Sequence, residues 1–186
     1  MPAFPRDELE EMIRRFVAQN DECGETGDWS KLAQFYTEDA VYSWNNGPNW
    51  EFVARGRKQI LEWVMGTEMA GLDDWHYPYV RTLVDDQKGE VIGIWRQLSP
   101  ERDEHGVPIE IAGTGGSWFR YAGGFQWCWQ RDFFDHMNAG AVFMALAKQQ
   151  KLQPEMVERM KKGSNQPGWV RRADFDWYAT LANRED

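Results

Sequence analysis

Residues 27–44 read GDWSKLAQFYTEDAVYSW, and this stretch predicts the first change from helix to strand along the chain. Asp28 can cap a short helix over residues 29–35, because its carboxylate can accept hydrogen bonds from free backbone N–H groups at a helix start. The helix should end before Thr37-Glu38-Asp39, and the residues from Ala40 to Trp44 then predict a strand. The sheet therefore begins directly after a short helix.

A longer helix is predicted upstream of this stretch, from Asp7 to about Gly24. Apolar residues recur there at helical spacing, and Asp7 can cap the helix. Downstream, a turn cluster at 45–49 separates the first strand from a second strand over 50–54. A third helix should cover 57–65.

Beyond this third helix the apolar period changes to two residues, which is typical of strands. Short connections make successive strands antiparallel neighbours. Four strands are predicted on this basis: 74–85, 90–98, 109–121 and 125–134. Helices followed by such a meander predict an α+β fold, in which a curved antiparallel sheet packs on helices around a deep pocket.

The helical pattern returns after the meander, with helices predicted over 139–150, 154–162 and 173–182. We therefore expect a domain over residues 1–137 and a C-terminal helical extension over residues 138–186. The extension should close the mouth of the cavity or pack on a partner subunit, because its aromatic residues need an apolar surface to cover.

The charge of the chain excludes two classes of partner. It carries 30 acidic and 21 basic residues, a formal net charge of −9. Nucleic acid or an anionic membrane would require a basic patch, so neither is expected. No apolar run of 18 residues is present, and Cys23 and Cys128 lack the spacing of a metal site. We expect a cytoplasmic protein with reduced thiols.

The chain has 11 tryptophans, more than a core of this size requires. Large amphipathic rings stack well on flat ligands, which favours an aromatic-lined cavity for a hydrophobic small molecule. A tryptophan-rich core or a dimer interface would account for them equally well, and a homodimer or higher homo-oligomer is expected. The three histidines lack metal-ligand spacing, so neither a metal nor another cofactor is expected.

The order of elements resembles the SnoaL-like, nuclear transport factor 2-like superfamily. The resemblance covers about residues 7–136 and implies a cone-shaped, cystatin-like α+β barrel with a deep pocket. This fold hosts many reactions and does not by itself assign one. The segments that carry the resemblance are Gly27-Asp28-Trp29, the run from Phe35 to Val41, Gly56 before the third helix, and Gly123-Gly124 before Trp127.

One segment is similar to the scytalone dehydratase-like enzymes of this superfamily. Pro100 follows Glu90-Val91-Ile92-Gly93 seven residues after the glycine, and His76 lies 17 residues before that glycine. The resemblance implies a lyase-type proton transfer centred on His76, whose imidazole can take or give a proton near neutral pH.

The chain also departs from the dehydratase pattern in three places. Gly24 and Glu25 stand where the dehydratases have Tyr-Asp, and Glu101 falls near the place of a second histidine. Trp44 replaces a strand tyrosine that Tyr42 could supply from two residues away. The proton chemistry therefore carries over, while the substrate need not.

We expect a cofactor-independent lyase that acts on a hydrophobic aromatic or polycyclic hydroxylated molecule. It would be a dehydratase or a C–C cleaving enzyme that releases formaldehyde. His76 would be the general acid or base, Glu25 its relay carboxylate, and Tyr42 a donor that polarises an oxygen. An isomerase or cyclase of a steroid- or polyketide-like substrate would use the same groups, and a non-catalytic binding module would share the fold.

Several other side chains are expected to hold the substrate. Trp44 and Trp95 would stack on its rings, and Thr114 lies among glycines at the predicted cavity floor. Gln97 and Glu101 share a face with Trp95, because alternate residues of a strand point the same way.

The last predicted strand supplies two more candidates. Asp132 and His136 lie near its end, where a polar group could reach the pocket. An ordinary ion pair between Arg131 and Asp132 is the alternative.

Overall fold

The N-terminal helix, α1, spans Arg6–Thr26 in a computed structural model that describes residues 3–182. It begins one residue earlier than predicted, after Pro5, and no side chain caps it, so the expected capping role of Asp7 is wrong. Arg6 and Asp7 are exposed, so the first backbone N–H groups of the helix can be solvated instead.

The end of α1 and the short helix that follows are set by two residues. Gly27 adopts a left-handed conformation at φ 72°, which glycine tolerates without strain, and its N–H donates to the carbonyl of Cys23. Asp28 then accepts from the N–H of Ser30 and caps a 3₁₀ helix over Trp29–Phe35, as predicted.

Residues 3–182 contain seven strands: β1 Tyr36–Asn46, β2 Trp50–Arg55, β3 Tyr79–Asp85, β4 Glu90–Arg102, β5 Pro108–Tyr121, β6 Trp127–Phe133 and β7 Trp169–Arg171. They form one sheet in the order β3-β4-β5-β6-β1-β2-β7. The four-strand meander is confirmed as the antiparallel run from β3 to β6, and the α+β class is confirmed with it. β1 lies parallel to β6, so the first and last strands of the predicted domain meet in the middle of the sheet.

Two sheet predictions are corrected by the structure. The third strand begins at Tyr79 rather than Asp74, and His76 contributes only an isolated bridge to Leu98. Strand β7, which pairs with β2, was not predicted, and it lies between the helices predicted over 154–162 and 173–182. A three-residue edge strand is too short to produce an alternating pattern.

The remaining helices are an α-turn and a π-helix before β3 and short helices after β6. The predicted third helix is one α-turn, α2 (Gly56–Gln59), continued as a π-helix over Ile60–Glu68. Such π-turns are rare and occur often at functional sites. The other helices are α3 His136–Lys148, α4 Pro154–Lys162, a 3₁₀ turn Arg172–Asp174 and α5 Trp177–Ala182.

The main core lies between α1 and the sheet. Phe16 of α1 packs edge-on against aromatic rings of five other elements, at centroid distances of 5.2–6.4 Å: Phe35, Tyr36, Tyr79, Phe119 and Trp127. Edge-to-face packing of this kind holds rings in fixed orientations. Much of the aromatic surplus is therefore core, as the second interpretation of the tryptophans allowed.

The C-terminal segment contacts both faces of the sheet. On one side α3 and α4 bury Ala139, Leu146 and Met156 with Leu72 and Trp75. On the other, Phe175 and Leu181 pack with Val41, Val53, Cys128 and Trp129. The division at residue 137 stays a prediction. In the described part of the chain, no helix has the length and apolarity needed to span a membrane.

Candidate active site

A cavity of about 190 Å³ lies between the sheet and the helices at the end away from the N-terminus of α1. Aromatic residues are the largest group in its wall, and each of the strands β1, β3, β4, β5 and β6 contributes to it. The aromatic lining residues are Phe16, Trp29, Tyr36, Tyr42, Trp44, Tyr77, Tyr79, Trp95, Phe134 and Phe143. The expected aromatic-lined cavity is therefore present.

One carboxylate, Asp132, forms the polar centre of this cavity. Its Oδ2 accepts from the Tyr42 hydroxyl at 2.6 Å. Its Oδ1 accepts from the Ser117 hydroxyl at 2.6 Å and from Gln130 Nε2 at 2.7 Å. The Tyr36 hydroxyl donates in turn to the amide oxygen of Gln130. Three donors thus hold the carboxylate in a fixed orientation inside an apolar enclosure.

The environment of Asp132 changes its acidity. Burial raises the pKa of Asp132, because the charged form loses solvation, while the hydrogen bonds from Gln130, Ser117 and Tyr42 oppose this effect. Burial also raises the pKa of Tyr42 well above its ordinary value, and the neighbouring Asp132 adds to the rise. Tyr42 is consequently a protonated donor, and Asp132 is a carboxylate with increased affinity for a proton.

Strand pairing brings these groups together. Ser117 of β5 is the cross-strand partner of Asp132 in β6, and Trp44 of β1 is its partner on the other side. Tyr42 and Trp44 lie on one face of β1 because they are two residues apart. The polar centre therefore depends on the parallel contact of β1 with β6.

Two glycines make room for aromatic walls of the cavity. A Cβ on Gly93 would lie 2.3 Å from the Tyr79 ring, and one on Gly115 would lie 2.2 Å from the Trp95 ring. Trp95 Nε1 then donates to the Ser117 hydroxyl at 3.0 Å. Gly93, which drew notice as part of a motif, thus serves to seat Tyr79.

A second polar group, the ion pair of Glu68 and Arg159, lines the cavity at a different place. Arg159 Nη1 lies 3.4 Å from Glu68 Oε2, and Trp169 Nε1 donates to Glu68 Oε1 at 3.1 Å. Burial raises the pKa of Glu68, although Arg159 and Trp169 oppose this. The π-helix supplies Glu68 and α4 supplies Arg159.

The structure does not bring His76 and Glu25 to this cavity. Both are exposed, and neither lies among the residues that line it. The His76 ring lies over the end of α1, where a Cβ on Gly24 would be 3.0 Å from its Nδ1. Its neighbours in sequence, Trp75 and Tyr77, point inward instead, since alternate residues of an extended segment face opposite sides.

Of the eight other predicted site residues, five line the cavity and three do not. Tyr42, Trp44, Trp95, Gln97 and Asp132 line the cavity, and Gln97 donates to the Tyr77 hydroxyl at 3.3 Å. The alternative ion pair of Asp132 with its sequence neighbour is not formed: Arg131 lies on the opposite face and contacts Glu51 at 3.0 Å.

Three predicted binding residues lie elsewhere. Glu101 pairs with Lys151 at 3.2 Å, and exposed Thr114 lies beside a separate small pocket. His136 packs on Phe134 with ring centroids 4.1 Å apart, and burial lowers the pKa of its imidazole. Among residues 3–182 no group of three or more His, Cys, Asp or Glu side chains is arranged to hold a metal ion.

Several site residues were missed from the sequence: Ser117, Gln130, Tyr36, Tyr77, Tyr79, Glu68 and Arg159. Gln130 carried a usable signal, because it shares a strand face with Asp132 and directly follows the apolar run Trp127-Cys128-Trp129. No comparable local signal marked Glu68 and Arg159, which lie 91 residues apart.

The fold agrees with comparisons to known proteins. Residues 7–128 match the model of the SnoaL-like domain. The chain belongs to this family. No curated protein matches it.

Solved structures of SnoaL-like and related proteins show the same fold at low sequence identity. A candidate SnoaL-like polyketide cyclase from Jannaschia sp. CCS1 superposes with a TM-score of 0.55 and 14% identity, over 75% of this chain and 94% of that one. Bal32a, from a soil-derived mobile gene cassette, has a TM-score of 0.54 and 19% identity, over 72% and 95%. A candidate polyketide cyclase from Xanthomonas campestris pv. campestris has a TM-score of 0.52 and 17% identity, over 73% and 96%.

Proposed function

We propose that this SnoaL-like protein is an acid/base enzyme, with Asp132 as the residue that takes and returns a proton. The observation that carries the proposal is a carboxylate of raised pKa, oriented by three donors, inside an aromatic cavity. A general base works best when its pKa approaches the working pH, and burial moves an aspartate in that direction.

The size of the cavity limits the substrate. A dry cavity of roughly 150 Å³ accommodates benzene, whereas drug-sized ligands occupy roughly 300–1,000 Å³. The volume of about 190 Å³ found here therefore suits a molecule of one or two rings better than a four-ring steroid. Trp44 and Trp95 are placed to contact those rings.

Two reactions use this geometry without a change of oxidation state. In a lyase, Asp132 removes a proton from carbon, a C=C bond forms as the C–O bond breaks, and the proton passes from Asp132 to the departing oxygen as water leaves. In an isomerase or cyclase, the same proton returns to a different atom of the substrate. The family membership and the candidate cyclases with the same fold support the second course, and the hydroxylated aromatic substrate expected from the sequence supports the first.

His76 is not assigned this role, because it is exposed and outside the cavity. The position of His76 outside the cavity argues against a histidine-centred lyase, and taken alone it favours a non-catalytic binding module. The buried network around Asp132 favours catalysis over simple binding, because an apolar ligand would require no oriented carboxylate.

Two probes of suitable size test the proposal. The first is 1-tetralone in D₂O, where proton transfer to and from C2 appears as deuterium incorporation by NMR. The second is 3-hydroxy-1-tetralone, whose loss of water gives 1-naphthol and is followed by fluorescence. Exchange alone would indicate isomerase-type chemistry, and dehydration would indicate a lyase.

Asp132→Asn should reduce either rate by at least a hundredfold, since positioned general bases contribute about 10²–10⁴. Asp73→Asn, an exposed aspartate away from the network, is the matched control, and His76→Ala tests the earlier hypothesis. An Asp132→Asn protein that is folded and as active as wild type would refute the proposal, and loss of activity in His76→Ala alone would return the role to the histidine.

A further inference from the structure

Arg159 is the one basic residue among the described residues that line the cavity. It comes from α4, outside the part of the chain that matches the family model. Its side chain is 12% exposed and that of Glu68, its partner, 13%. A guanidinium held at this depth beside an apolar cavity has given up most of its hydration, which costs free energy unless its donors find acceptors.

The contacts of Arg159 do not provide strong acceptors for all of its N–H donors. Nη1 contacts Glu68 at 3.4 Å, well beyond the roughly 2.7–2.9 Å of a strong charge-assisted bond. Nη2 points at the Met156 sulfur, 2.6 Å away, and a thioether is a weak acceptor. A guanidinium has five N–H donors in a planar fork, so donors remain for an oxygen acceptor from a ligand.

The position of this ion pair relative to Asp132 follows from a chain of ring contacts along one wall. Tyr42, which binds Asp132, contacts Trp44 at a centroid distance of 5.7 Å, and Trp44 contacts Trp169 at 6.1 Å. Trp169 then donates to Glu68. The two polar groups therefore lie at separate points of the same cavity, with the Trp44 ring between them.

From this arrangement we infer that the substrate is an aromatic carboxylate, with its carboxylate bound by Arg159, its ring against Trp44 and its reacting atoms beside Asp132. This rests on the proposed function for the role of Asp132. A planar carboxylate matches the guanidinium fork with two parallel hydrogen bonds. A phosphate is disfavoured, since its second negative charge would lie uncompensated beside Glu68.

Calorimetric binding of two ligands of matched shape tests the inference without requiring turnover. The probes are 2-naphthoate and the neutral 2-naphthamide. Arg159→Met should weaken 2-naphthoate binding by about tenfold or more and 2-naphthamide binding by less than about twofold, because the amide lacks the charge that the guanidinium pairs with. Arg159→Lys should be intermediate for the acid, since it keeps the charge and loses the fork.

Glu68→Gln provides the complementary variant. It removes the carboxylate that competes for Arg159, so it should tighten 2-naphthoate binding and leave 2-naphthamide binding nearly unchanged. Equal losses for both ligands in the Arg159 variants, or wild-type binding of 2-naphthoate by Arg159→Met, would overturn the inference and leave Arg159 as a structural partner of Glu68.

The two proposals can fail separately. If Asp132→Asn keeps full tetralone exchange while the naphthoate preference depends on Arg159, the catalytic role fails and carboxylate recognition stands. If the naphthoate preference is absent while Asp132→Asn abolishes exchange, only the carboxylate inference fails.

Discussion

Tyr42→Phe tests whether the hydrogen bond to Asp132 is a charge-assisted contact within the core. The substitution removes the hydroxyl 2.6 Å from Asp132 Oδ2 and keeps the ring, which stacks on Tyr36 at a centroid distance of 5.9 Å. Tyr42 is 7% exposed, so little water can replace the lost donor. Since hydrogen bonds to charged groups contribute roughly 1.5–3 kcal/mol, the free energy of unfolding should fall by about that amount.

The measurement is urea denaturation with an unchanged m-value, supported by a thermal midpoint. For a chain of this length about 1 kcal/mol corresponds to roughly 2–4 °C, so the midpoint should fall by roughly 3–12 °C. Repeating Tyr42→Phe in an Asp132→Asn background supplies the control, because the lost bond would then be between neutral groups, worth only about 1 kcal/mol.

The same change should alter the pH dependence of activity. Tyr42 donates to the charged form of Asp132, so its loss raises the pKa of the carboxyl further and moves the acid limb of the rate profile to higher pH. Equal destabilisation in both backgrounds, or a cost below about 0.5 kcal/mol, would show that the hydroxyl does not bind an ionised Asp132, and the assignment of Asp132 as base would lose its structural support.

Two further predictions concern stability and packing. Because burial raises the pKa of Asp132, the folded protein binds the proton of this carboxyl more tightly than the unfolded chain does. The free energy of unfolding should therefore fall as pH rises from the unfolded-state pKa of Asp132 to its folded-state pKa. Asp132→Asn should flatten this pH dependence in urea titrations. Gly93→Ala places a Cβ 2.3 Å from the Tyr79 ring and should lower the free energy of unfolding, measured by denaturation, by about 1–3 kcal/mol. Gly47→Ala is the control for an added methyl group, because its Cβ meets no atom within 4 Å. The φ of 62° at Gly47 adds some backbone strain of its own to that control. A third concerns assembly: Met137 and Met144, 88% and 62% exposed on α3, offer an apolar face for the expected homo-oligomer, and light scattering should give a mass above that of the 21.8 kDa chain.

The order of helices and strands was predictable because each of these elements has a local sequence pattern. Asp28 identified the 3₁₀ helix through capping chemistry, and the period-two runs identified the meander. The short edge strand Trp169–Arg171 could not be found this way, because three residues hold no measurable period. The start of β3 was placed five residues early, since the apolar residues around His76 pack inward from an irregular segment rather than from a strand.

The site was harder to predict than the fold because its parts are distant in sequence. Tyr42 and Asp132 were both candidates, yet nothing local indicates that residues 90 positions apart share a hydrogen bond. Their contact depends on the parallel pairing of β1 with β6, and sequence patterns favour antiparallel neighbours wherever connections are short. His76 drew attention because of its residue type and its spacing to Gly93, neither of which depends on where the side chain lies. Burial raises the pKa of Asp132, so this residue can be recognised as a candidate only when the strands that enclose it are known.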